Sequence, residues 1–314
     1  MGSTLFGRKT AAALATMALA AMSMGVVGPA VPASAQVKAD GAALRALEAN
    51  TSFPNTQVSL RIPRLSGPGV PAQETAVVTG LDVVLYTQRQ AKHGQTAPSE
   101  IVISYKGQQL GQLRYVGNRV YVLLDVAHWA SLPIGWNAST RTKLNDINLA
   151  FGERWFEVPA ATVAKLAPKG VGAVTPSKIR GVVTDAIGKL VGSLDLSEAP
   201  LPGGNERFAE RGSLSSLAGA LSQVAKALHA TAPSSAAGMP QGTYFLSMST
   251  AGAGRYMADV EMAIATGQGQ SFTAELAFTH AAVPVVAPAN AVVVTPSMLA
   301  SLFAIPAVTT TLRR

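Results

Sequence analysis

The sequence predicts an α+β fold in which one curved antiparallel sheet carries helices on one face. Three observations lead there. A run of alternating strands with tight glycine turns fills the first half, a second antiparallel meander lies near the C-terminus, and an amphipathic helix with leucines at helical spacing stands between them.

The elements follow in chain order. Gly41–Asn50 (GAALRALEAN) is rich in alanine and places Leu44 and Leu47 on one helical face, with Pro54 close behind. Residues 56–62 alternate Val58, Leu60 and Ile62 with polar partners, a strand that Pro63 is expected to end. Residues 64–73 then form a flexible Pro/Gly loop. Residues 76–86 are rich in β-formers and predict one long strand with Leu81, Val83 and Leu85 on a common face. Residues 101–105, 109–116 and 119–124, separated by Lys106-Gly107 and Gly117-Asn118, predict a three-strand meander. Residues 126–150 read as helical or irregular, and residues 153–159 as a short strand stopped by Pro159. Between residues 160 and 196 small apolar and lysine residues alternate, with short helices expected at 162–166 and 176–190.

Leu214, Leu217, Leu221, Val224 and Leu228 recur at spacings of three and four, which predicts an amphipathic helix over 213–229 packed on a sheet. A flexible linker, 231–242, leads to strands at 244–248, 254–264 and 272–278. In the last of these Phe272, Ala274, Leu276 and Phe278 alternate with polar residues.

The N-terminus has the charge order of an export signal. Arg8-Lys9 precede an apolar run from Ala11 to Val27, no acid occurs before Asp40, and Gly28, Pro29 and Pro32 lead to the small-residue site Ala33-Ser34-Ala35. At about 17 residues the run is at the lower limit for spanning a bilayer. Residues 1–35 are therefore expected to be a signal peptide cleaved after Ala35. That leaves a single secreted, extracytoplasmic domain of residues 36–314.

Composition narrows the chemistry. There is no cysteine, which excludes disulfides, a thiolate nucleophile, a thiolate metal site and an acylated N-terminal cysteine. Removal of Arg8 and Lys9 lowers the formal charge of +8 by two. The remaining basic residues are dispersed, which argues against a nucleic-acid partner and suits peripheral contact with an anionic membrane or a cell-wall polymer.

The four histidines, His93, His128, His229 and His280, have no metal-ligand spacing, and no nucleophile elbow, phosphate loop or dinucleotide fingerprint is present. Asp259 and Glu261 share one strand face and are read as a solvated polar face. The expectation is a protein that is not an enzyme, with no catalytic residues, no metal and no cofactor. Apolar residues make up 48% of the chain. Either they fill a dry core, or the helices only partly cover the sheet and leave an apolar cavity fit for an acyl chain.

One stretch adds to this. Arg114-Tyr115-Val116-Gly117-Asn118-Arg119-Val120-Tyr121-Val122, followed by Glu153-Arg154-Trp155-Phe156-Glu157-Val158-Pro159, resembles the texture of actinobacterial LolA-like and LppX-like envelope proteins, as does the segment from Leu276 to Pro288. The resemblance implies a strongly curved antiparallel sheet, an incomplete barrel, with helices over its concave face enclosing a cavity that carries lipid or lipoglycan. Many such proteins are anchored through a cysteine that this chain lacks, so a free, non-lipidated member is implied.

The residues expected to line the cavity are Leu81, Val83, Leu85, Leu113, Tyr115, Tyr121, Leu123, Phe272, Leu276 and Phe278. The other outcome is a secreted interaction domain with the same fold and a filled core, binding a surface protein or wall polymer.

Overall fold

The computed structural model describes residues 39–88, 97–117, 119–159, 191–192, 194–217, 241–280 and 283–294. Helix α1 (Ala39–Ala49) continues into a 3-10 turn, Asn50–Ser52. It buries Ala43 and Ala46, whose small side chains allow close approach to the sheet.

Strand β1 (Asn55–Ser66) runs four residues beyond the expected end at Ile62. Pro63 does not stop it, because the register against its neighbour slips between Arg61 and Arg64, and such an irregularity accommodates a residue that cannot donate to the ladder. The loop expected at 64–73 thus shrinks, its ends being taken by β1 and by the next helix.

The largest departure is α2 (Ala72–Gly80), which occupies the first half of the strand predicted over 76–86. Pro71 stands at its N-cap, Glu74 lies in its first turn, and Gly80 ends it. Gly80 is required there by space: a Cβ would approach the Tyr105 ring to 2.3 Å.

Strands β2 (Leu81–Gln88), β3 (Ser99–Tyr105), β4 (Gln108–Val116) and β5 (Arg119–Leu124) form the expected meander. Helices α3 (Val126–Ser131) and α4 (Ala138–Phe151) follow, capped by the side chains of Asp125 and Asn137. After β6 (Phe156–Pro159) come two strands that alternation did not reveal, β7 (Ser197–Leu201) and β8 (Asn205–Ser213). The second meander is β9 (Gly242–Ala251), β10 (Tyr256–Thr266) and β11 (Ser271–Thr279), and a two-residue strand β12 (Val292–Val293) ends the described chain.

Among the described residues, twelve strands join one sheet in the order β12-β6-β5-β4-β3-β2-β1-β11-β10-β9-β8-β7. Every pairing is antiparallel except that of β12 with β6. The edges β12 and β7 are not joined, so the sheet is open. The architecture is α+β with one large curved sheet.

Curvature follows from the packing. One buried cluster gathers Phe208 from β8, Val58 from β1 and Leu85 from β2 around Ala43 and Ala46 of α1. In a flat sheet β8 and β2 would stand about 24 Å apart, so the sheet curls about α1. The face against α1 is called inner here. Of the amphipathic helix expected over 213–229, Leu214 and Leu217 are seen buried in this cluster. The rest of it, the helices expected at 162–166 and 176–190, and the linker up to residue 240 lie outside the described residues, as does the signal segment.

Beyond β11 the chain crosses the outer face. Gln88 Nε2 donates to Val283 O at 3.0 Å and Arg114 Nη1 to Val286 O at 3.4 Å. The Val292 and Val294 amides then donate to Trp155 O and Glu157 O at the β6 edge. Val285 and Val294 are each 3% exposed, so this strap is part of the folded interior.

Candidate binding face

Side chains of directly opposed residues in an antiparallel pair lie on the same face, so the registers trace rows across the inner surface. One row runs Phe278, Val58, Leu85, Ile101, Leu113, Val122 and Phe156 from β11 to β6. The next runs Phe208, Met248, Val260, Leu276, Leu60, Val83, Ile103, Gly111 and Leu124 from β8 to β5. Neither row contains a polar side chain.

Cover over these rows is uneven. Toward β8 they are sealed by α1, Val191, Leu196, Leu214 and Leu217. Toward β6 a second cluster buries Val120, Phe156, Val158 and Val294. Between the two, Val83, Ile101, Ile103, Leu113 and Val122 are half-buried and Leu124 is 40% exposed. The middle of the inner face is therefore an aliphatic surface that the described residues cover incompletely.

At one end the rows meet hydroxyls. Thr56, Thr87, Ser99 and Tyr115 are consecutive cross-strand partners on β1 to β4. Thr56 Oγ1 donates to Asn50 O at 3.0 Å, and Thr87 Oγ1 reaches Thr56 O at 3.4 Å. Ser99 and Tyr115 are half-buried, and burial raises the Tyr115 hydroxyl above its usual range, keeping it neutral. On the β8–β9 side Tyr244 donates to Glu210 Oε1 at 2.5 Å, and Glu210 Oε2 accepts from the Asp195 amide at 3.1 Å. This carboxylate ties the 194–196 segment to the sheet.

Of the ten residues expected to line a cavity, Leu81, Val83, Leu85, Leu113, Tyr115, Phe272, Leu276 and Phe278 lie on the inner face. Leu85, Phe272, Leu276 and Phe278 are sealed in the interior, while Leu81, Val83, Leu113 and Tyr115 are half-buried.

Tyr121 and Leu123 are corrected: they oppose Arg114 and Gln112 and belong to the outer face. The hairpin pairs Val116 with Arg119, so odd positions of β4 meet even positions of β5. The inward residues of β5 are Val120, Val122 and Leu124. Ile101 and Ile103 are members that strand alternation alone could have supplied.

The outer face carries the ion pairs, interspersed with Val84, Val102, Tyr121 and Leu123. Arg61 pairs with Asp82 at 2.8 Å, Arg114 with Glu100 at 3.1 Å and Arg119 with Glu157 at 3.0 Å. The Arg114 guanidinium lies 4.5 Å over the Trp155 ring, and the Glu100 side chain is only 4% exposed.

His128 Nδ1 contacts Asp125 Oδ2 at 2.5 Å, but the Ser131 hydroxyl donates to the His128 carbonyl and not to the ring. No chain of nucleophile and base is assembled there. Among the described residues no group of three or more His, Asp or Glu is placed to hold a metal ion, and no helix is long and apolar enough to cross a membrane.

These features define a class: an open, curved α+β sheet with an uncharged aliphatic band on its inner face. No protein-family model and no curated protein matches the chain. Among solved structures it is similar to the Mycobacterium tuberculosis lipoprotein LppX, with 11% identity, 79% of this chain and 97% of that chain covered, and a TM-score of 0.36. An overlay at that level assigns neither a family nor a ligand to this chain.

Proposed function

We propose that this protein is a secreted, non-enzymatic carrier that binds a lipid or lipoglycan against the inner face of its sheet. The observation supporting this is the half-covered aliphatic band between the two buried clusters, formed by Val83, Ile101, Ile103, Leu113 and Val122. A hydrocarbon chain laid across it gains about 0.8 kcal/mol per methylene removed from water. From β2 to β5 the band is about 14 Å wide at ordinary strand spacing, room for a medium-length stretch of an acyl chain.

The band is uncharged and the outer face charged, the distribution expected where the inner surface is the one that binds hydrocarbon. The surplus of Lys and Arg favours approach to anionic lipid or wall polymer. Residues 1–35 supply export in this account.

The test is extraction of the natively purified, folded protein with organic solvent, followed by mass spectrometry. A lipid recovered in stoichiometric amount supports the carrier. A folded sample that yields none, and takes up none when incubated with lipid extract, contradicts it.

A further inference from the structure

We infer that Ser99 and Tyr115 form a head-group site that selects a neutral oxygen, an ester or alcohol, at one end of a bound alkyl chain. The inference rests on the carrier reading and names the chemistry of its polar end.

The two residues are direct cross-strand partners on β3 and β4. They close the aliphatic rows immediately beyond Ile101 and Leu113, which are likewise partners. Their companions in the hydroxyl row, Thr56 and Thr87, are buried and directed to backbone carbonyls. Ser99 and Tyr115 differ: they are half-buried, and neither hydroxyl has a hydrogen-bond partner among the described residues. The Tyr115 ring is fixed against the Val120, Phe156, Val158 and Val294 cluster, so its position is set by packing while its hydroxyl remains available.

Charge decides the class of head group. The adjacent ionic residues, Glu100 and Arg114, are turned to the outer face and satisfy one another at 3.1 Å. Inner-face positions of β1 to β5 in the aliphatic and hydroxyl rows carry no cation, so a carboxylate or phosphate placed at Ser99 and Tyr115 would lose hydration without gaining a counter-charge. A neutral carbonyl or hydroxyl oxygen needs one or two donors, which the two hydroxyls supply.

The experiment is displacement of Nile red from the mature protein by hexadecane, methyl palmitate and palmitate. In the wild type, methyl palmitate competes more strongly than hexadecane, by about two- to tenfold for one or two neutral hydrogen bonds, and more strongly than palmitate at pH 8. Tyr115→Phe keeps the ring and its packing, so within that variant the ratio of methyl palmitate to hexadecane affinity falls toward one. Ser99→Ala lowers it independently and serves if Tyr115→Phe misfolds by circular dichroism.

Hexadecane binding with no ester preference in the wild type, or a preference untouched by both variants, overturns the head-group site alone. Failure of the wild type to bind Nile red or any of the three overturns the carrier reading with it.

Discussion

Tyr244 shows how one residue is held by several others. Its ring packs against Gly212, where a Cβ would come within 2.6 Å, and its hydroxyl is bound to Glu210. Gly212→Ala is expected to destabilise by about 1–3 kcal/mol, the usual cost of overpacking, as read by chemical denaturation.

Desolvation, and then the bond to Glu210, raise the Tyr244 hydroxyl pKa above its ordinary value. The folded state then holds its proton more tightly than the unfolded chain. The stability this contributes is complete below about pH 10, where unfolded tyrosine titrates, and is lost as pH rises beyond it. Replacement by Phe should flatten that alkaline limb.

His280 acts in the opposite sense. It stacks on Phe53 at 3.5 Å with Tyr256 edge-on at 4.7 Å. Burial lowers its pKa, so its contribution is complete above about pH 6.5 and lost as pH falls below. Acid denaturation of His280→Phe should begin at lower pH than that of the wild type.

Among elements, the strap from β11 to β12 has the plainest consequence. Val292 lies thirteen residue steps beyond Thr279, a reach of about 43–47 Å when fully extended. Seven strand spacings lie between β11 and β12 in the sheet, about 34 Å across. The segment is thus long enough to cross the sheet, and Pro284 and Pro288 favour extension. Val285→Ala should cost about 1.5–3 kcal/mol and should speed hydrogen exchange at the Val292 and Val294 amides, which anchor the far end.

Elements also differ in how far they could be read in advance. Phe272, Ala274, Leu276 and Phe278 announce β11 because one face meets the core and the other meets water. Strands β7 and β8 were silent because they form an edge where Glu198, Glu206 and Glu210 replace apolar inward residues and only Phe208 is left to signal a core face. Helix α2 was misread because Ala76-Val77-Val78-Thr79 favour strand in isolation. Packing against β1 and the Pro71 and Gly80 boundaries outweighed that preference. The site was half legible for a related reason: alternation found the apolar positions, but which parity of β5 points inward depends on the length of the turn after Val116.

Across the whole molecule, the inner face is continuous. Two uncharged rows extend over seven and nine strands, and each half-sheet seals its own end of them. The central band from β2 to β5 is left without equal cover among the described residues. Filling that band with charge should abolish binding without dismantling either cluster. Ile101→Asp, at a half-buried position between them, is expected to reduce Nile red affinity at least tenfold while the protein stays folded by circular dichroism.

The most direct test of the central claim is a crystal structure of the mature protein soaked with 1-bromohexadecane, with the bromine located by anomalous scattering. The account predicts a signal on the inner face, in contact with the band formed by Ile101, Leu113 and Val122. Clear density for the chain's own side chains packed over those three residues, with no bromine beside them, would contradict it.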